Sequence, residues 1–155
     1  MENGRERLYW AALSGNWTSI MDMANIQRRL TTAGETTLHV AVAANQEMFV
    51  RMLLNCIDDD RLLDVNRVGN TVLTYAAATG NVNIAKLLLD RNSKLGDLPT
   101  GVKPLMMAAV SGHIQMVQFL YRKDEVCYWD EFLQAELFIT CVKGGLYGKL
   151  VGKHK

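Results

Sequence analysis

Apolar and polar positions follow a helical period through residues 69–89, and the rest of the chain repeats this pattern. Two apolar runs, Val72–Ala78 and Ile84–Leu89, flank a Thr-Gly-Asn break. The hydroxyl of Thr71 suits a helix N-cap, and Gly80 can adopt the left-handed conformation that ends a helix. The pattern predicts a helix–turn–helix hairpin of about 20 residues, which is too small to bury its own apolar face.

The same order of features recurs about every 33 residues along the chain. The apolar position that opens each first helix is held by Leu8, Leu38, Leu73, Leu105 and Leu137. A small-residue pair follows three positions later in each copy, and a break follows it at Gly15, Asn45, Gly80, Gly112 and Gly144. Because the copies stay in phase, we expect them to stack and to bury one another's apolar faces.

This arrangement resembles an array of ankyrin repeats over roughly residues 8–147. Thr36-Thr37-Leu38-His39 matches the Thr-Pro-Leu-His motif of that family except at the proline, and Lys103-Pro104-Leu105-Met106 keeps the proline and the leucine. The resemblance implies an all-α ankyrin-repeat solenoid of stacked helix–turn–helix units. It places four repeats in 8–121, at about 8–30, 31–65, 66–97 and 98–121. A flexible lead-in at 1–7 precedes them, and a charged, aromatic connector with an incomplete fifth repeat follows at 122–155.

The two ends of the array depart from the pattern. In repeat one, a second helix is predicted near Trp17–Ala24, and Trp10 and Trp17 are expected either to pack on repeat two or to anchor a partner. Near the other end, a short connecting helix at Trp129–Gln134 and a repeat-like helix at Glu136–Gly144 are predicted. A terminal repeat is normally a complete cap with a polar outer face. We therefore interpret the sequence as truncated, mispredicted or part of a longer protein.

A narrower resemblance concerns the last 35 residues of the sequence. The aromatic insert with Tyr121, Tyr128, Trp129 and Phe132, and the segment 142–147 with its Gly-Gly-Leu-Tyr run, are similar to plant ankyrin-repeat proteins. Those proteins carry a C-terminal membrane domain named for a Pro-Gly-Gly motif, and that domain is missing from this sequence. The resemblance implies repeats on the cytosolic side and a link to stress or defence signalling.

Composition narrows the class of protein. The chain of 155 residues is 49% hydrophobic and carries a formal net charge of +1, which argues against a disordered chain and gives no global pointer to nucleic acid. Its three cysteines are irregularly spaced, as expected for reduced thiols in an intracellular protein. No secretory signal is recognisable, and no apolar run approaches the ~20 residues of a membrane span. We expect a cytoplasmic protein.

Candidate catalytic and metal-binding groups are scattered rather than clustered. His39 and His113 fall at structural positions of the repeats, and Cys141 replaces a small buried residue. The acidic run 58–60 lacks the glycine and the closing glutamate of a calcium loop. Since no acid–base pair, metal motif or phosphate loop is recognisable, we predict a protein that is not an enzyme and has neither cofactor nor metal.

The predicted functional surface is the concave face of the array. The ankyrin resemblance assigns partner contacts to the residues around the glycine of each turn, or finger, and to the two residues before each inter-helix break. These positions are Thr32, Ala33, Glu35, Ala43 and Ala44 in repeat two, Arg67, Val68, Asn70, Ala78 and Thr79 in repeat three, and Thr100, Val102, Val110 and Ser111 in repeat four. The set is small and nearly neutral, which favours a protein or peptide over a nucleic acid or a small-molecule substrate.

The sequence thus predicts a non-catalytic protein–protein interaction module, in the setting of intracellular stress or defence signalling. The alternative is the cytosolic fragment of an ankyrin-repeat membrane protein whose activity lies in missing sequence. In that case, membrane association would come only through the missing part.

Overall fold

The computed structural model describes residues 3–98, 100–123 and 126–146, apart from the side chain of residue 127. Within these ranges the α-helices are α1 (Gly4–Ser14), α2 (Thr37–Ala43), α3 (Glu47–Leu54), α4 (Val72–Thr79), α5 (Val82–Arg91), α6 (Pro104–Ser111), α7 (Ile114–Lys123) and α8 (Glu131–Lys143). Short 3₁₀ turns lie at Trp17–Ser19, Arg61–Leu63, Ser93–Gly96 and Val126–Tyr128. The extended pairing in the described residues is an isolated antiparallel bridge between Arg29 and Thr36. The predicted all-α class is confirmed.

The helices pack in two rows. Helices α1, α2, α4, α6 and α8 contact one another in that order and form the first row. Helices α3, α5 and α7 form the second row, and each packs against the first-row helix that precedes it in the chain. The hairpins α2–α3, α4–α5 and α6–α7 are therefore the repeating unit, as the periodic pattern predicts.

Local sequence sets the ends of the central hairpin. The Thr71 hydroxyl accepts a hydrogen bond from the amide of Thr74, which caps the start of α4. Gly80 ends the helix with a φ of 76°, a conformation that costs glycine little. The Asn81 side chain then caps α5 by accepting from the amide of Ile84. Two helices can follow each other so closely because each end is satisfied locally.

The repeated leucines form the spine of the core. Leu8, Leu38, Leu73 and Leu105 are 0% exposed, and Leu137 is 6% exposed. The small-residue pairs beside them are also largely buried, including Ala76 and Ala77 in repeat three. Small side chains at these positions let neighbouring helices approach closely, so the stack is held together by apolar contact along its whole described length.

The predicted second helix of repeat one, Trp17–Ala24, is wrong, since only the 3₁₀ turn at its start forms. The hydroxyls of Thr18 and Ser19 bond to Asn16, and such local bonds compete with helix formation. The segment that follows crosses to α2 instead. There, the Gln27 side chain donates to the Thr36 hydroxyl at 3.0 Å and accepts from the Leu38 amide at 3.1 Å.

The two N-terminal tryptophans have different environments. Trp17 packs edge-on against Phe49, with 5.3 Å between ring centroids. Of the two alternatives predicted for it, packing on repeat two is therefore the one observed. Trp10 is 61% exposed. Helix α1 begins at Gly4, earlier than predicted, because the Asn3 side chain accepts from the amide of Glu6 and caps it.

The region after repeat four also differs from prediction. The separate helices predicted at Trp129–Gln134 and Glu136–Gly144 are one continuous helix, α8. The Asp130 side chain caps it by accepting from the amide of Leu133, and no glycine or proline interrupts the thirteen residues that follow. The rest of the predicted incomplete fifth repeat, at 147–155, lies outside the described residues. Among the described helices, none has the length and apolarity needed to cross a membrane.

We predict that Ala76→Arg unfolds or strongly destabilises the protein. Ala76 is 0% exposed, so the substitution forces a charged side chain between packed helices. The expected loss is at least about 3 kcal/mol in the free energy of unfolding, measured by chemical denaturation. Ala78→Arg is the matched control, because Ala78 lies on the same helix but is exposed. Equal stability of the two variants would contradict the packing described for α4.

Candidate protein-binding surface

One column of the first-row helices faces away from the core. Its members lie five residues after the buried leucines, which is about 140° around a helix of about 100° per residue. The column comprises Leu13, Ala43, Ala78, Val110 and Val142. All five are exposed, and Val110 is 68% exposed. None carries a charge or a hydrogen-bonding side chain, so the column is a continuous apolar row across the stack.

The fingers beside this row are the turns around Gly34, Gly69 and Gly101, which are called fingers two, three and four after the repeats that contain them. The amide of Arg67 donates to the Ala33 carbonyl of the preceding finger at 2.9 Å. The amide of Val102 donates in the same direction, to the Asn70 side chain at 2.8 Å. Adjacent fingers are thus bonded directly to each other.

The close approach of the last two fingers requires glycine. Gly69 and Gly101 have φ values of 86° and 70°. A Cβ atom on Gly101 would lie 2.3 Å from the Gly69 carbonyl oxygen, which is closer than any real contact. Both positions therefore exclude a side chain on conformational and steric grounds.

His39 connects finger two to finger three from beneath. Its Nδ1 atom accepts from the Thr36 amide at 3.2 Å, and its Nε2–H donates to the Asn70 carbonyl at 3.0 Å. This pattern requires the neutral ring with the proton on Nε2. The ring is fully buried, and burial is the main cause that lowers the pKa of His39. The structural role predicted for this residue is confirmed.

Tyr75 makes a second link between the same two repeats. Its hydroxyl donates to a Glu35 carboxylate oxygen at 2.6 Å and accepts from the Asn66 side chain at 3.0 Å. Burial, followed by the bond to Glu35, raises the pKa of Tyr75 to about 12. Its ring also packs edge-on against His39, with 4.8 Å between centroids.

The residue after each inter-helix break ties its repeat to the one before. Gln46 donates to the Leu13 carbonyl and His113 to the Ala78 carbonyl, each at 2.9 Å. Asn81 reaches the Asn45 side chain at 3.3 Å. These bonds fix the ends of the first-row helices beside the apolar row. His113 is thus structural, as predicted.

None of the fourteen predicted contact residues is buried. Ten are exposed: Thr32, Ala33, Ala43, Arg67, Val68, Ala78, Thr100, Val102, Val110 and Ser111. The other four, Glu35, Ala44, Asn70 and Thr79, are half-buried. Glu35 and Asn70 already form hydrogen bonds that link the repeats, so fewer of their polar atoms are available to a partner. Their role in partner binding stays a prediction.

Two cavities of about 480 Å³ lie at opposite parts of this surface and contain residues that the sequence prediction missed. One joins Val102 and Val110 to Leu133, Glu136 and Thr140 of α8. The other joins the predicted residues Thr32 and Arg67 to the unpredicted Arg5, Arg29 and Thr31. In the sequence, the adjacent Arg28–Arg29 pair could have indicated a basic site. Only the folded chain shows that α1 places Arg5 in the same cavity as Arg29.

The histidines and the cysteine considered as candidate reactive groups have structural surroundings in the described residues. The rings of His39 and His113 both bond to backbone carbonyls. Cys141 is 3% exposed, and burial raises the pKa of its thiol, which disfavours the reactive thiolate. No group of three or more acidic, histidine or cysteine side chains in the described part of the chain could hold a metal ion.

Comparison with known proteins agrees with this geometry. Residues 59–130, just under half of the chain, match the family model for ankyrin repeats in three copies. The chain is 37% identical over 84 residues to an ankyrin repeat and KH domain-containing protein of Caenorhabditis briggsae. It is 30% identical over 93 residues to a fem-1 homolog A-like protein of Mus musculus.

These matches cover 51% and 58% of the chain but only 3% and 14% of the two relatives. The chain therefore spans a small part of the length of the proteins that it matches. Neither relative carries the name of an enzyme. Together with the helical stack, the matches show an all-α fold with ankyrin repeats at residues 59–130, and ankyrin repeats indicate a protein–protein interaction module.

The buried His39 predicts how stability depends on pH. The pKa of His39 in the native protein is lowered from 6.5. Just below that pH, the ring is therefore protonated in the unfolded chain but neutral in the native protein. The contribution of His39 to the free energy of unfolding is therefore complete above about pH 6.5. It falls as the pH is lowered toward 5, by at most about 1.4 kcal/mol per pH unit.

Urea denaturation at a series of pH values measures this dependence. We expect His39→Gln to flatten the fall between about pH 7 and 5, whereas His113→Gln retains it. An unchanged fall in His39→Gln would contradict the neutral, buried ring.

Proposed function

We propose that this chain binds a partner protein or peptide through the apolar row and the fingers beside it, and that it catalyses no reaction. The observation that carries this proposal is the continuity of the row, which places an uncharged, exposed side chain on each of the five first-row helices. The fingers add Val68 and Val102, which are 72% and 42% exposed. Covering such side chains is favourable by about 25 cal/mol per Å² of apolar area removed from water.

The chemistry of the row favours a protein over other ligands. Small and branched apolar side chains with no aromatic platform do not suit the stacking of bases. The surface is an open row rather than an enclosed pocket, which suits a chain or a helix more than a small substrate. The bonds between fingers hold the surface in place before a partner arrives, so less conformational entropy is lost on binding.

We further propose that the module works inside the cell in stress or defence signalling. A second proposal is that it is the cytosolic recognition part of a membrane protein similar to the plant Pro-Gly-Gly family. The connector aromatics favour this second proposal, because Tyr128 and Phe132 are 81% and 88% exposed and available for contact with further protein.

The size and fractionation of the endogenous protein test the second proposal. An antibody against residues 69–89 should detect a soluble band near 17.4 kDa if the module stands alone. A larger band that pellets with membranes would support the second proposal, and a soluble band near the smaller size would reject it.

Site-specific photo-crosslinking tests the binding surface itself. We expect a benzophenone amino acid at Ala78 to capture a partner in cells, because this position lies at the centre of the row. The same label at Asn83, which is exposed on α5 of the second row, is the matched control.

A charge in the row should then weaken the capture. With the label at Ala78, Val110→Glu is expected to reduce the cross-linked product several-fold, since it places a carboxylate in the proposed contact. Its thermal unfolding should be unchanged, because Val110 is exposed. Equal capture from Asn83, or capture that is insensitive to Val110→Glu, would contradict this assignment of the surface.

A further inference from the structure

We infer that the cavity lined by Arg5, Arg29 and Arg67 binds an acidic segment of the partner, with neighbouring aspartate or glutamate side chains. This inference rests on the proposed function and names the chemistry of the partner at one end of the surface. The cavity has a volume of about 480 Å³, and its charged lining consists of these three arginines alone. Thr31 and Thr32 add hydroxyl groups to it.

The three arginines come from three separate elements. Arg5 lies in the first turn of α1, Arg29 in the segment before finger two, and Arg67 at the tip of finger three. The Nη1 group of Arg29 donates to the carbonyls of Gly34 and Val65, each at 2.7 Å, which fixes its guanidinium between the two fingers. The cationic site is thus built by the same packing that aligns the fingers.

Gly34 brings two of these side chains together. A Cβ atom on this residue would lie 3.1 Å from Cγ of Arg67 and 3.4 Å from Nη1 of Arg29. The missing side chain therefore leaves room for both arginines above one backbone position. Cationic side chains that line one cavity are stabilised by an anion bound among them.

No carboxylate of the described residues forms an ion pair with these three arginines. The ion pairs among the described residues lie elsewhere and join Arg7 to Asp22, Arg61 to Asp64, and Arg91 to Asp59. The nearby Glu35 carboxylate accepts from Thr31 and Tyr75 instead. Neither Arg5 nor Arg67 has an ion-pair or side-chain hydrogen-bond partner among the described residues. Both guanidinium groups are exposed and available to a ligand.

The position of the cavity favours an acidic peptide over a nucleic acid. Thr32 and Arg67 belong both to this cavity and to the predicted finger contacts, so a chain lying along the apolar row reaches the arginines. Separate guanidinium groups spread around such a volume match several carboxylates better than one isolated anion. No aromatic side chain lines the cavity, so a base would find no stacking platform there.

Fluorescence anisotropy with a defined probe tests this inference. The probe is a labelled peptide with four consecutive glutamates flanked by leucines, and its counterpart carries glutamines. We expect the glutamate peptide to bind more tightly and its affinity to fall as salt is raised. Arg5→Gln with Arg67→Gln should weaken its binding about tenfold, as expected when two or more charge pairs are lost.

The control is Arg51→Gln with Arg122→Gln, which removes the same charge from exposed residues on α3 and α7. Unchanged binding in this control supports the inference, and an equal loss overturns it, because the effect would then come from net charge. Equal binding of the two peptides also overturns it, as does complete competition by a single-stranded oligonucleotide. Since the cross-linking at Ala78 is measured separately, the acidic partner can be rejected while the apolar row stands.

Discussion

The bond from the buried His39 ring to the Asn70 carbonyl holds one finger to the next, and the arrangement of the proposed binding surface depends on it. A buried imidazole is stable only when both ring nitrogens are satisfied, and here Thr36 and Asn70 supply the two partners. Thr36 also caps the helix that carries His39. A single motif therefore starts a helix, orients a ring and fixes the position of the following repeat.

The remaining contacts between repeats extend this principle across the stack. Tyr75 reaches back to Glu35, and the Thr74 hydroxyl donates forward to the Val102 carbonyl at 2.8 Å. Because these bonds use backbone groups and side chains beneath the fingers, the side chains of Val68, Val102 and the outer column of the first row stay exposed. The result is a surface with an apolar row along the helices and three arginines at one end. The core contacts supply stability, whereas the polar links determine how the surface is arranged.

Much of this structure could be predicted from the sequence, because its signals are local and repeated. The spacing of Leu8, Leu38, Leu73 and Leu105 identified the core, and Thr71 and Gly80 identified the ends of α4. The failures occur where the period ends. Around Trp17, hydroxyl bonds to Asn16 replace the predicted helix. Near the other end, the repeat alignment predicted two helices where the structure has the single helix α8. The arginine cavity could not be predicted, since Arg5 and Arg67 are 62 positions apart in the sequence and meet only through the stacking of α1 on α2.

Hydrogen–deuterium exchange at the finger amides tests the central claim most directly, namely that the fingers are bonded into one surface before any partner binds. The amides of Arg67 and Val102 belong to exposed residues outside helices, yet both donate to the preceding finger. The account predicts that they exchange nearly as slowly as the amides in the middle of α4, because opening them requires two repeats to separate. Exchange at the rate of an unprotected loop would contradict it, and would mean that the surface forms only when a partner is present.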